Sequence, residues 1–185
     1  MKIPLEAKCV FKGVIFDVYQ WEQEMFDGSK QTFEMLKRAD STVIIATQGD
    51  RVLIAEQEQP GKPKFCSLFG GRREEDEEPR TSAERELLEE TGLASTDWEL
   101  WREYQPSSKT DWTLYYYIAR NCTKVAPQSL DAGEKITVRP VSFTEFIELI
   151  SNERFVEREL AMDVLRMKLE PVKLEEFRRQ LFPTT

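Results

Sequence analysis

The sequence predicts an α/β or α+β sandwich preceded by a β annex of about forty residues. Two observations carry this. Strand-like segments run up to one central amphipathic helix, more strands follow it, and the chain then turns helical to its end. Two turn signals, Asp27-Gly28 and Gly49-Asp50, each sit between segments rich in β-branched and aromatic residues, the pattern of a hairpin. On this reading residues 1–40 form the annex, 41–170 the main domain and 171–185 a short helix and tail.

The elements follow in order. "CVFKGVIFDVYQWEQEMFDGSKQTFEML" is the annex hairpin, and "STVIIAT" and "RVLIAEQ" are a second hairpin with better buried strands. "QPGKPK" is a loop and "FCSLFGG" a short strand running into glycines. A helix spans roughly Pro79–Thr91, because Pro suits a first turn and Gly92 suits the left-handed position after the last. Its apolar stripe is Ala83, Leu87 and Thr91, widened by Leu88. "WELWREYQ" and "WTLYYYIAR" are strands separated by the polar "PSSKTD", and the loop "NCTKVAPQSLDAGE" leads into the strand "KITVRPV". Ser142 and Glu145 form a capping box at the head of "SFTEFIELI"; "ERFVERELAMDVLRMKLE" and "KLEEFRRQL" are further helices.

Composition excludes several classes. The 185-residue chain carries net charge −8 and a pI near 4.9, which disfavours a nucleic-acid backbone as partner. No apolar run reaches the ~18 residues of a membrane helix, and "MKIPLEAKCV" has no signal-peptide core. Cys9, Cys66 and Cys122 are odd in number and widely spaced, as expected of reduced thiols in a cytoplasmic protein. Histidine is absent, which removes Ser-His-Asp and Cys-His catalysis and the commonest transition-metal ligand.

The charge is concentrated. Between Glu74 and Glu90 stand nine carboxylates opposed only by Arg80 and Arg85, net −7. On the helix, Arg85 lies one turn before Glu89 and Glu86 one turn before Glu90. Glu86, Glu89 and Glu90 are therefore expected on one face, opposite the Ala83/Leu87 stripe. Like charges so spaced repel by ~0.2–0.5 kcal/mol on an exposed helix, and a divalent cation reverses that sign. Oxygen donors in this number suit Mg²⁺ or Mn²⁺. Charge alone equally fits a solvated helix; the spacing separates the two readings. From Gly71 the chain fits G-x5-E-x7-R-E-U-x-E-E-x-G-U, U being a bulky aliphatic residue, through Gly71, Glu77, Arg85, Glu86, Leu87, Glu89, Glu90, Gly92 and Leu93.

This pattern resembles the signature of the Nudix hydrolases. The resemblance implies an α/β/α sandwich with a mixed sheet, an N-terminal antiparallel β annex and C-terminal helices. It also implies Mg²⁺-dependent (Mn²⁺ possible) cleavage of a nucleoside diphosphate linked to another moiety. Carried over, Glu89 and Glu90 are the principal metal ligands and Glu86 a further ligand or the group that orients the attacking water. The Gly70 carbonyl is another ligand, and Arg85 braces the carboxylates through Glu89 and Glu77. Over the whole chain the resemblance is to the ADP-ribose and nucleotide-sugar pyrophosphatase branch, whose N-terminal β segment helps build a homodimer. Glu134, with Asp131 behind it, stands where that branch places a late acidic ligand or base; an ordinary loop acid fits as well.

The sequence also departs from the branch. Where an arginine pattern that holds phosphates is usual, it reads "EQEQ", with Glu56 and Gln59 at those places. Arg72, Lys62, Lys64 and Lys109 are the candidate replacements. Trp21, Phe26 and Trp112, with Tyr19, are candidates to stack on a base, though stacking does not select one base over another. Trp98, Trp101 and Tyr115 to Tyr117 read as strand packing. The departure keeps open a second substrate class, nucleoside triphosphates or dinucleoside polyphosphates. A non-catalytic nucleotide sensor is a further alternative, against which all three motif glutamates are present.

Overall fold

The computed structural model describes residues 2–183; Met1, Thr184 and Thr185, the ends of the first and last expected segments, lie outside the described residues. In chain order the strands and helices are β1 (Lys8–Lys12), β2 (Asp17–Glu24), β3 (Lys30–Lys37), β4 (Ser41–Gln48), β5 (Arg51–Glu58), β6 (Phe65–Ser67) and α1 (Pro79–Thr91). There follow β7 (Leu93–Ala94), β8 (Asp97–Tyr104), β9 (Thr110–Asp111), β10 (Leu114–Arg120), β11 (Thr123–Lys124) and β12 (Lys135–Val141). Three helices end the chain: α2 (Phe143–Ile150), α3 (Arg158–Lys168) and α4 (Pro171–Leu181).

The main sheet has strand order β12-β5-β4-β10-β8, with β6 joined to β5. It is mixed because β10 runs parallel to β4 while the other pairs are antiparallel. Alternation along its central strands builds two cores. Ile45, Val52, Ile54, Tyr116 and Ile118 face α2, α3 and α4. Ile44, Ala46, Leu53, Ala55, Tyr117 and Ala119 face Ala83 and Leu87 of α1. The period of two in β4, β5 and β10 thus generates the three layers, and α1 lies on one face with the other helices opposite. Trp101 against Phe177, with ring centroids 5.1 Å apart, and Tyr104 against Tyr116, at 5.0 Å, are packing contacts, as expected.

The N-terminal sheet has order β1-β2-β3-β9. Its hairpin turns where expected: Gly28 has φ 80°, and Asp27 Oδ1 accepts from Ser29 N at 2.9 Å. The segment "PSSKTD" is not wholly a loop, since β9 pairs in parallel with the end of β3 and ties the two sheets together. The C-terminal helices are also trimmed. Residues 153–157 stay non-helical because Val156 N donates to Cys66 O at 3.1 Å and Cys66 N to Arg154 O at 3.0 Å, extending β6. The capping box is half formed: Ser142 Oγ accepts from Glu145 N, while the Glu145 carboxylate goes to Arg139 at 2.6 Å.

Candidate active site

The site begins where β5 parts from β4. The pairing of these strands ends at Ala46, and along the first half of β4 its place is taken by the run Phe69–Arg72. Ile44 N donates to Phe69 O at 2.8 Å and Thr42 N to Gly71 O at 3.0 Å. Gly70 has φ 139°, and a Cβ there would overlap the carbonyl oxygen of Thr42; only glycine adopts that backbone readily. A Cβ on Gly71 would stand 2.5 Å from the Glu86 carboxylate. The two glycines therefore do different things: one permits the bend, the other leaves room for a functional side chain.

α1 carries the carboxylates to this bend. Pro79 opens the helix, and Gly92, at φ 67°, closes it by donating to Leu88 O at 2.7 Å. The expected stripe is corrected at two positions. Leu88 is 40 % exposed, and Glu90 is only 5 % exposed. Glu90 stands three residues after Leu87 and so turns toward the sheet with it rather than opposite it. Its Oε2 accepts from Gly70 N at 2.8 Å. Glu86, Glu89 and Glu90 thus line the border between the buried side of α1 and solvent.

Arg85 organises the rest. It holds Glu77 through two hydrogen bonds, Nε to Oε1 at 3.0 Å and Nη2 to Oε2 at 3.1 Å, the bidentate geometry that favours arginine over lysine. Its Nη1 reaches Glu86 Oε1 at 2.9 Å and Glu89 Oε2 at 3.0 Å, and its Nη2 reaches the Arg72 carbonyl at 3.2 Å. These contacts hold the guanidinium firmly protonated and the Glu77 carboxyl below its ordinary value.

The far wall is residues 125–134, pinned to the end of α1. Ser129 N donates to Glu89 O at 2.8 Å, and Gln128 Nε2 donates to Glu90 O at 2.6 Å and Ile136 O at 3.1 Å. The otherwise unsatisfied carbonyls of the helix end fix the loop that carries Asp131 and Glu134. The resulting cleft of about 250 Å³ is lined by Gly70, Arg72, Glu86, Glu89, Glu90 and Glu134 among others.

Burial pushes the Glu90 carboxyl up to about 8, helped by the charges of Glu86, Glu134 and Glu157, against the Gly70 hydrogen bond that lowers it. Burial also raises Glu86 and Glu134, the latter with help from Asp131. Among the described residues no three Asp, Glu, His or Cys side chains are already gathered as a cation cage. Arg85 Nη1 holds one oxygen of Glu86 and one of Glu89. The donor set still fits a hard divalent cation: Glu86, Glu89, Glu90 and Glu134 are among six carboxylates that line one cleft, and the buried Glu90 has a backbone N–H as partner.

The other expected binding residues divide. Arg72 lines the cleft; Trp21, Phe26 and Trp112 do not. Trp21 is 8 % exposed and packs on Phe33. Phe26 projects fully exposed from the β2–β3 turn, and one face of Trp112 is covered by the Arg38 guanidinium, 4.3 Å from its centroid. Lys62 donates to Gln59, Lys64 pairs with Glu58 and Lys109 lies over Phe33. Glu56 pairs with Arg139 at 2.7 Å. Three further residues are not signalled by any motif: Gln128, Arg38 and Glu157. The last is half-buried with its carboxylate turned inward, Oε1 accepting from Leu68 N at 3.0 Å and Oε2 sealed from solvent, and desolvation raises its carboxyl to about 8.

Fold and motif together are those of a class of hydrolases that act on phosphate anhydride bonds. A family model for the NUDIX domain matches residues 35–163, and the chain belongs to the Nudix family. It is 21% identical over 164 residues to an ADP-ribose pyrophosphatase of Bacillus subtilis (strain 168), covering 86% of this chain and 89% of that protein. It is 22% identical over 170 residues to the methanol dehydrogenase activator of Bacillus methanolicus, covering 90% and 92%. The crystal structure of an ADP compounds hydrolase superposes with TM-score 0.72 at 18% identity, covering 90% of this chain and 93% of that one, a likeness of fold. No helix among the described residues is long and apolar enough to cross a membrane.

Proposed function

We propose that this chain is a Mg²⁺-dependent pyrophosphohydrolase of ADP-ribose or a nucleotide sugar, releasing a nucleoside monophosphate and a sugar phosphate. The observation that carries the reading is the single cleft lined by Glu86, Glu89 and Glu90 on one side and Glu134 on the other. Glu86, Glu89, Glu90 and the Gly70 carbonyl would hold Mg²⁺, with Mn²⁺ as a substitute. A divalent cation so held neutralises phosphate oxygens and acidifies a bound water. Glu134, its carboxyl raised by burial, takes the proton of the attacking water. The water oxygen bonds to one phosphorus as that phosphorus loses its bond to the bridging oxygen. Arg85 keeps Glu86 and Glu89 oriented from behind and stays charged throughout. Arg72 at the rim meets the substrate phosphates.

The test is product analysis. With Mg²⁺, ADP-ribose should give AMP and ribose 5-phosphate in a panel that includes UDP- and GDP-sugars, diadenosine polyphosphates and dNTPs. Pyrophosphate release from a dNTP with ADP-ribose untouched would replace this reading with the triphosphate one, which the Glu56–Arg139 pair keeps alive by denying β5 a free cation. Tight nucleotide binding without turnover would favour a sensor.

The protein works as a cytoplasmic homodimer on this reading. The first two strands and the turn between them leave Val10, Phe11 and Ile15 at 52%, 61% and 57% exposure, apolar side chains that a second copy would cover. Sedimentation equilibrium should give about 43 kDa, twice the 21.7 kDa of one chain; a monomer at micromolar concentration refutes it.

A further inference from the structure

We propose that Glu157 is a positioning residue of the carboxylate cleft: it fixes the backbone of residues 68–70 and thereby the places of the Gly70 carbonyl and the Glu90 carboxylate. The inference rests on the reading of the cleft as a divalent-cation site. It ties to that site a residue that lies outside the motif and does not line the cleft.

The segment 66–70 passes from one core to the other. Leu68 belongs to the core that faces α2, α3 and α4, and Phe69 to the core that faces α1. Three alternate N–H groups set how its backbone is turned. Cys66 N donates to Arg154 O at 3.0 Å, Leu68 N to Glu157 Oε1 at 3.0 Å and Gly70 N to Glu90 Oε2 at 2.8 Å. The first acceptor is backbone because residues 154–156 run parallel to this segment: Cys66 bridges Phe155, and Val156 N donates to Cys66 O at 3.1 Å. That ladder stops where α3 begins at Arg158 and carries the main chain away. The Glu157 side chain supplies the acceptor that the backbone no longer offers to Leu68 N.

Glu157 is committed to this contact. It stands at the N-cap of α3, yet its side chain makes no cap hydrogen bond there and turns to Leu68 instead. Oε2 is sealed from solvent without a partner, a desolvation that costs stability. Leucine or methionine at this position would spare that cost and leave Leu68 N without its acceptor. Only Phe69 separates Leu68 from Gly70, so a turn of the backbone at Leu68 is passed on to Gly70. There φ 139° leaves few neighbouring conformations to absorb it. Gly70 then moves both its N–H, which holds Glu90, and its carbonyl. The charge of Glu157 is also among those that raise the Glu90 carboxyl, so the two groups lie within electrostatic reach of each other. Groups that orient a metal ligand in this way set how well the ligand binds without touching the metal themselves.

The experiment is calorimetric titration of the full chain with Mn²⁺, beside amide hydrogen exchange at Gly70 in the metal-free protein. Glu157→Ala should weaken Mn²⁺ binding about ten- to a hundred-fold and speed Gly70 exchange about tenfold. Glu157→Gln keeps an acceptor for Leu68 N and should bring both back to within about threefold of wild type. Val164→Ala, which removes buried contacts of α3 away from this segment, should lower the melting temperature and leave Mn²⁺ affinity unchanged. If Glu157→Ala does not fold, Glu157→Asp, whose shorter arm withdraws the acceptor, carries the same test. Wild-type Mn²⁺ affinity and Gly70 exchange in Glu157→Ala, equal weakening in Glu157→Gln, or equal weakening in Val164→Ala overturns the proposal. If wild type binds no Mn²⁺ while Glu157→Ala still frees the Gly70 amide, the cation reading fails and the positioning role stands. If wild type binds Mn²⁺ and Glu157→Ala alters neither affinity nor exchange, the reverse holds.

Discussion

Glu90→Gln should reduce kcat by about 10²–10³-fold or more, the range seen when one preorganised electrostatic contact is removed from a catalytic site, while stabilising the metal-free protein at alkaline pH. The two effects have one cause. Glu90 is nearly buried, its Oε2 accepts from Gly70 N, and its carboxyl is raised to about 8. In the folded, metal-free chain it holds a proton between its ordinary value of 4.5 and about 8 that the unfolded chain has released. Stability is then fully present below 4.5 and falls as pH rises through that window. Glu157, also raised to about 8, contributes with the same sign. Glutamine keeps the acceptor for Gly70 N and removes the ionisation, so Glu90→Gln should flatten part of the slope and leave the Glu157 part. Thermal melts in EDTA at pH 5 and pH 9, beside steady-state rates in Mg²⁺, check both halves. Turnover within threefold of wild type would remove Glu90 from the metal site. An unchanged pH slope would mean that the Glu90 carboxyl is not raised in the folded chain.

Part of the site is legible in the sequence alone. Glu77, Arg85, Glu86, Glu89 and Glu90 are related by helix and loop spacing within one local segment, so a single linear pattern contains them. The Arg85 contact to Glu89 follows from helical spacing, and the contact to Glu77 from the family resemblance. The hairpins were legible for a similar reason, since Asp27-Gly28 and Gly49-Asp50 meet a local backbone requirement, and both glycines have positive φ. What could not be read depends on distant partners. The stacking of Arg38 on Trp112 joins residues brought together by the β3–β9 pairing, and β9 sits in a segment whose composition is that of a loop. Glu157 falls in a segment read as amphipathic helix, yet its carboxylate turns inward because residues 154–156 run alongside β6. Gln128 has no charge and no motif, and matters only because the end of α1 offers it the Glu90 carbonyl. Trp21, one of the candidate rings for a base, is buried against Phe33 of the paired strand.

The two glycines before α1 should separate folding from catalysis, and this gives the second large effect. Gly70→Ala places a Cβ against the Thr42 carbonyl on backbone at φ 139°, a region left almost wholly to glycine. The obstacle is backbone in a central strand, so it cannot swing aside. The expected loss is about 3 kcal/mol or more from strain and overpacking together, with activity falling because the Gly70 N–H to Glu90 contact moves with it. Gly71→Ala differs in kind. Its Cβ meets the Glu86 carboxylate at 2.5 Å, the end of a side chain that can turn away, and Gly71 is not among the residues with positive φ. Stability should change by less than about 1 kcal/mol, while kcat drops at least about tenfold because Glu86 is displaced from Arg85 and from its neighbours Glu89 and Glu90. Denaturant midpoints and kcat measured side by side distinguish the cases. A Gly71→Ala enzyme with undiminished kcat would mean that the position of Glu86 is irrelevant to turnover. A Gly70→Ala protein as stable as wild type would mean that the chain reaches its carboxylates by a different bend, and the geometry that ties Glu90 to β4 would have to be rebuilt.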